Sequence, residues 1–454
     1  MFHLGWFLGS GYSLQGTWNT LGEVQNRDGT SGVWNGTNGY DWWKPDMFVD
    51  LAASLERAGF DYILIEDTTS IDDTHGGSME STLKHAIQVP KNDPLPLVPL
   101  MTQRTKHIGI IPTISSTFYQ PYTAARVLAT LDHMTEGRVG VNVVTSVNEA
   151  AALLHGLEAH PEHDLRYEMA TEWIELLKEL WGSWEPDAVV VDEERNVFAD
   201  HRKVHKVDHQ GRFFKCHGAL NIPAGPQGWP VIAQAGASPA GRQLSATHCD
   251  TMIGQSGNIE HMKAFRNDIR ERMVALGRKP DECKVLFMAN PILGETDEEA
   301  LERDFRYRVA AATPDQIEKT LWTMSYSSGG SVDYGALDLD APMPETAGNG
   351  QMSVIAKYLA NSGGGTKTLR ELVVPTQEKV RPGEHNFIGS PDTVAGQMQE
   401  VMEEVGGDGF LIGNTMTRRS IAEVADGLAP ALRRRGLIRT GYSYDTFREN
   451  LLEY

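Results

Sequence analysis

Apolar residues along this chain follow two rhythms. Short, nearly continuous apolar runs occur at Phe2–Leu8, Tyr62–Ile65, His107–Ile111, Val139–Val144, Val231–Gln234, Thr251–Ile253, Lys284–Ala289 and Gly409–Ile412. Runs of this length, rich in Val, Ile, Leu and Phe, predict strands buried on both faces. Between them lie longer segments with apolar residues every third or fourth position. Met47–Ala58, Tyr122–Met134 and Arg166–Trp181 are the clearest, and the first two stop at Gly59 and before Gly137. That spacing predicts amphipathic helices ending at glycine. Eight strands, most followed by a helix, call for a parallel sheet. We therefore expect a closed (β/α)8 barrel with its site at the C-terminal ends of the strands. An open doubly wound sheet is the alternative, disfavoured because no GxGxxG follows the first strand.

Two stretches break the alternation. One is 183–229, rich in Gly, Pro, His and charge; the other is 310–384, which contains SYSSGG (325–330) and SGGG (362–365). They read as insertions on a single barrel domain spanning 1–454, and the later one as a lid loop.

Composition narrows the function classes. The chain has 454 residues, 40% of them hydrophobic, which suits a large globular core. Its net charge of −20 repels phosphate backbones and anionic lipid, so nucleic acid and membrane are not expected partners. Three dispersed cysteines (Cys216, Cys249, Cys283) form no CxxC, which predicts reduced thiols and a cytoplasmic location. His160 and His163 lack further ligands at metal spacing, so no metal is expected. Neither GxSxG nor a phosphate-binding P-loop motif occurs.

Polar residues gather where strands end. Asp67 follows YILIE, Thr113 follows IGIIP, and Asn142 lies in VGVNVVTS. In a barrel they converge on one mouth, where they can hydrogen-bond a polar ring; each taken alone is also an ordinary strand-end residue. His163 and Tyr167, four apart at the start of a long helix, can face one anion at the helix's positive end; packing in the core is the plainer reading of Tyr167. Gly236-Ala237-Ser238 joins a strand to a helix beginning at Pro239. Its small residues suit close approach to a phosphate, and equally a common turn. Phe7, Tyr12 and Trp18 are aromatic and lie in or just beyond the first strand, where they can line an apolar pocket or pack in the core.

These stretches together resemble the bacterial-luciferase-like flavin monooxygenases, in particular the branch of nitrilotriacetate, dibenzothiophene-sulfone and long-chain alkane monooxygenases. The similar segments are FDYILIED (60–67), STFYQPYTAARVLATLDHMTEGRVGVNVVTS (116–146), EHDLRYEMATEWIELLKELWGSW (162–184), VHKVDHQGRFF (204–214), PVIAQAGASPAGR (230–242) and DGFLIG (408–413). The resemblance implies FMN, used as FMNH2, with an NAD(P)H-dependent flavin reductase as partner, O2 and a small organic molecule as substrates, and a homo-oligomer, dimer or tetramer. It places Asp67, Thr113 and Asn142 near the flavin ring and ribityl chain, and His163, Tyr167, Gly236, Ala237 and Ser238 at the phosphate. Two departures matter. The histidine-Gly-x-Trp pattern after the first strand is Gln15-Gly16-Thr17-Trp18 here, and Ser325–Gly330 contains no histidine. No catalytic acid or base carries over, and catalytic residues stay unassigned. Few basic side chains precede residue 60, only Arg27, Lys44 and Arg57, which disfavours a polycarboxylate; the aromatic mouth favours a weakly polar substrate, and the resemblance implies a xenobiotic or sulfur-containing one. A flavin- or deazaflavin-dependent hydride transferase and a non-catalytic flavin binder are the alternatives.

Overall fold

The structure, a computed structural model, describes residues 1–9, 43–254, 258–344, 349–351, 354–355, 358–359, 362, 365–374, 387–414 and 416–454. Eight strands close into a barrel: β1 (His3–Leu8), β2 (Tyr62–Ile65), β3 (Gly109–Ser115), β4 (Gly140–Val144), β5 (Val231–Gln234), β6 (Thr251–Gly254), β7 (Lys284–Ala289) and β8 (Gly409–Ile412). They neighbour one another in chain order, and β8 closes back on β1 in the register His3↔Gly409. All eight pairings are parallel.

Alternation explains why the strand runs are apolar throughout. Tyr62 and Leu64 of β2 join Ile111, Val231, Ala233, Leu286 and Leu411 inside the barrel. Ile63 and Ile65 face outward into the layer beneath the helices. The outer ring includes α1 (Asp46–Ala58), α2 (Pro94–Thr102), α3 (Pro121–Met134), α4 (His163–Trp181), α5 (Pro239–His248), α6 (Ile259–Ala275), α7 (Asp297–Ala311), α8 (Pro314–Ser327) and α9 (Pro391–Val405). A short terminal helix, Phe447–Leu451, plugs the lower end of the barrel with Phe447 and Leu451. Gly109 admits that plug: a Cβ there would stand 2.5 Å from the Phe447 ring.

β3 differs from its sequence prediction. The apolar run suggested His107–Ile111, whereas the strand continues to Ser115. Pro112 looks like a terminator because it has no N–H to donate. It nevertheless sits in register with Ile65, and the ladder resumes at Thr113↔Asn142. Thr113 and Ser115 are therefore barrel residues, not loop residues.

The stretch 183–229 carries two antiparallel hairpins, Val189–Asp192 with Val197–Ala199 and Val207–Gln210 with Lys215–Gly218. Glu172 of α4 holds the second one, accepting from the backbone N–H groups of Arg212, Phe213 and Phe214.

In the later stretch, SYSSGG is not the loop its composition suggests. Ser325, Tyr326 and Ser327 end α8, and Ser325 is fully buried. Its hydroxyl donates to Leu321 O and accepts from Tyr334 N–H, so a polar residue is fully satisfied inside a small core of Leu321, Met324, Tyr334 and Leu369. Tyr334 therefore packs in that core. Positive φ values begin only at Gly329 and Gly330.

The α8 unit docks on the connection between β2 and α2. Trp322 Nε1 donates to Thr82 Oγ1 at 2.7 Å, and the Tyr326 hydroxyl meets Thr68 Oγ1 at 3.2 Å. His85 Nε2 lies 3.1 Å from Glu318 Oε2. His85, Asp315 and Glu318 bring three potential ligand atoms within 4.8 Å of one another, and the Lys84 ammonium donates to both carboxylates.

Candidate active site

The C-terminal ends of the strands surround a cavity of about 540 Å3. Phe7, Asp67, Thr113, Asn142, His163, Tyr167, Gly236, Ala237 and Ser238 all line it. Tyr12 and Trp18 lie outside the described residues.

One wall is polar and internally bonded. Thr113 Oγ1 donates to Ile65 O at 2.7 Å and accepts from Asn142 Nδ2 at 2.8 Å. With the one Thr113 hydroxyl proton committed to Ile65 O, the Asn142 carboxamide oxygen is left buried without a partner, an acceptor available to a ligand N–H or O–H. Asp67 stands beside them, just past β2. Burial pushes its carboxyl up to about 7, against the opposing pull of the Lys91 ammonium and with help from Glu66 and Asp93. Asp67 can therefore hold or release a proton near neutrality.

The opposite end is built to meet an anion. α4 and α5 both start at the cavity, presenting backbone N–H groups and the positive ends of their dipoles. No side chain caps the start of α4. Its first residue, His163, lies 5.0 Å from the Tyr167 ring and 2.8 Å from Asp164 Oδ1. A Cβ on Gly236 would stand 2.5 Å from the Tyr167 hydroxyl, so glycine lets that hydroxyl reach the β5–α5 turn. Ser238 is the N-cap of α5, its Oγ accepting from Gly241 N–H, which leaves its O–H free to donate.

Several cavity residues were not legible in the sequence. Thr68, Arg166, Gly350, Gln351 and Val354 also line the cavity, as does Tyr326. His155, a histidine that no motif marked, stacks on the cavity residue Phe118 at 4.3 Å, and its Nε2 lies 3.4 Å from Thr69 Oγ1. A second cavity of about 640 Å3 shares Asp67, Thr68, Thr69 and Tyr119 with the first. Its remaining walls include Ile71, Leu83, Val89 and Pro90, with Ser70, Gln88, Lys91 and Asp93 as polar groups.

Residues 17–409 match the family of luciferase-like monooxygenases. The chain belongs to that family and is a monooxygenase of it. It is 34% identical over 429 residues to dibenzothiophene-sulfone monooxygenase of Rhodococcus erythropolis, covering 92% of both chains. It is 31% identical over 410 residues to nitrilotriacetate monooxygenase component A of Aminobacter aminovorans, covering 89% of both. Among solved structures, a riboflavin lyase with modified FMN and substrate riboflavin superposes with a TM-score of 0.84 at 28% identity, covering 100% of this chain and 96% of that one.

Proposed function

We propose that this chain is the oxygenase component of a two-component system, and that the 540 Å3 cavity takes FMN in its reduced form. A separate NAD(P)H-dependent flavin reductase would supply it, in keeping with a relative known as component A. The observation that carries this reading is the pairing within one cavity of a hydrogen-bonding wall and two helix N-termini. That is the donor set a polar ring joined to a phosphate requires. When bound, FMNH2 supplies the electrons that let O2 place one oxygen atom in the substrate and release the other as water.

Each residue then has a task. Asn142 and Thr113 orient the ring and ribityl chain, and Asp67 accepts or donates a hydrogen bond at the ring edge according to its protonation. His163, Tyr167, Ser238 and the Gly236-Ala237 backbone hold the phosphate. Phe7 lines the floor, and α8 with Tyr326 excludes water from above. The side cavity, reached past Asp67 and Tyr119, gives the organic substrate room. Its apolar surface, from Ile71, Leu83, Ala86, Val89 and Pro90, beside several polar groups suits a weakly polar molecule. The relatives' substrates, dibenzothiophene sulfone and riboflavin, point to fused-ring and sulfur-containing compounds.

The test is anaerobic titration of the flavin-free protein with FMN and FMNH2, followed by O2 with dibenzothiophene sulfone or riboflavin as probes. Tighter binding of FMNH2 than of FMN is expected, with oxygenated product from at least one probe class. Stoichiometric, tight retention of FAD or NAD in place of FMN would overturn the proposal.

A further inference from the structure

Arg166 is an unusual cavity residue. It is 1% exposed, and among the described residues it forms no ion pair. Burial alone drags its guanidinium down to about 10. A buried charge without a counter-ion is costly, and an apolar side chain would fill the space more cheaply. Its bonds show where the charge is used. Nη1 donates to Pro161 O at 2.6 Å and to Asn349 Oδ1 at 3.1 Å; Nη2 donates to Asn349 O at 2.9 Å. Asn349 Nδ2 returns a bond to Pro161 O at 3.2 Å. Nε has no partner, so the head serves these oxygens only.

The residues after Asn349 are gripped from the other side. Gln351 N–H donates to Ser327 O at 2.7 Å, at the end of α8. Gly350 lies so close to that end that a Cβ would stand 2.3 Å from Ser327 O and 2.4 Å from Gly329 N. Residues 349–351 thus bridge the start of α4, which carries His163 and Tyr167, and the end of α8, which carries Tyr326. Gly350 and Gln351 form cavity wall between them.

We infer that Arg166 is a positioning residue, which pins the Asn349–Gln351 strap to α4 and so sets one wall of the flavin cavity. Only a planar fork with several donors can hold a backbone carbonyl, a carboxamide and the Pro161 carbonyl together. On the α4 side the strap is then held by one side chain 183 residues away in sequence. The flavin half of this inference rests on the function proposed above.

The test uses the full chain and Arg166→Gln, Arg166→Lys, Asn349→Ala and Gly350→Ala. Hydrogen–deuterium exchange of the flavin-free protein reads the Gln351 amide against peptides from β1, β2 and β8. Exchange at Gln351 should rise about ten-fold in Arg166→Gln and Asn349→Ala, with the strands unchanged, as expected for losing bonds to a charged group. Lysine should rescue part of the protection. FMN release, followed by fluorescence, should quicken in step. An unchanged Gln351 amide, or a rise spread evenly over the barrel, would overturn the inference. So would a loosened strap with FMN release at the wild-type rate. If Arg166→Gln does not fold, Asn349→Ala and Gly350→Ala test the strap with the guanidinium in place. If the wild type binds no FMN, the functional reading fails while the exchange arm still decides whether Arg166 holds the strap.

Discussion

Asp67 brings an ionisable carboxyl to the cavity wall. It sits past the end of β2, where both cavities meet, and burial holds its pKa at about 7 against an ordinary 3.8. The folded chain therefore keeps a proton that the unfolded chain has lost between those values. Stability falls as pH rises through that window, and the full penalty is present above pH 7. Asparagine imitates the protonated acid without ionising. Asp67→Asn should melt a degree or two above the wild type at pH 8, with the gap much narrower at pH 5 and gone only below the ordinary 3.8. Calorimetry of the flavin-free protein at both pH values reads this, and a gap that did not change with pH would mean that Asp67 is not buried as a weak acid. The same reasoning explains why this role escaped the sequence. An aspartate after a strand is commonplace, and its burial, together with Lys91 and Asp93 arriving from one further segment, shows only in the fold.

At the scale of elements, the end of the cavity proposed for the phosphate is made by two helix starts and one turn. Ser238 has a double role there: it caps α5 through Gly241 N–H and lines the cavity. Ser238→Ala should lower stability by about 1 kcal/mol through the lost cap. It should also weaken FMN binding by roughly 1 kcal/mol or more through the lost donor, and riboflavin binding by much less. Tyr167→Phe should weaken FMN alone, with no stability cost of the capping kind. Comparing the affinities of both ligands, by fluorescence quenching, separates the roles; equal losses for FMN and riboflavin would make both residues structural. These elements were legible because their signals are local: a Ser-Pro helix start, a histidine four residues before a tyrosine, an apolar run buried on both faces. The α8 unit was not, because its order comes from distant partners. Trp322 bonds Thr82, Tyr326 meets Thr68, and Ser325 is satisfied by Leu321 and Tyr334. Read in isolation, serines and glycines indicate a loop. Deleting Ser325–Gly330 would remove the end of a helix and part of a core, so point substitutions are the better probes of this region.

Across the whole molecule, the barrel's closure depends on one buried cluster at its lower end. Asp61, just before β2, accepts from His3 Nδ1 at 3.0 Å, Leu4 N–H at 2.9 Å and Arg439 Nη2 at 2.6 Å. Arg439 also donates to Asn450 O in the plugging helix, and His3 stacks on Tyr454 at 4.4 Å. The cluster ties β1 to the segment that fills the barrel floor, beside the seam where β1 pairs with β8. Burial alone would raise the Asp61 carboxyl; the charges of His3 and Arg439 and the two hydrogen bonds outweigh it and hold the pKa below its ordinary value. The sign of the pH effect is then opposite to that of Asp67. The stabilisation is fully present above the ordinary carboxylate range and is lost as pH falls below it, through the lowered folded value. Asp61→Asn takes the buried anion from Arg439 and leaves it only the partly exposed Glu453 carboxylate at 3.5 Å, which should cost up to about 3–5 kcal/mol near pH 7. Replacing both residues, Asp61→Asn with Arg439→Met, should recover part of that loss, because the buried cation goes with its buried anion and Glu453, which also loses Arg439, is partly exposed. Urea unfolding at pH 7 should rank wild type, double variant and Asp61→Asn in descending order. The gap between wild type and Asp61→Asn should narrow as the wild-type carboxylate takes up its proton in acid. A gap equally wide at pH 7 and in strong acid would show that Asp61 works by shape and hydrogen bonding, with its charge contributing nothing to closure of the barrel.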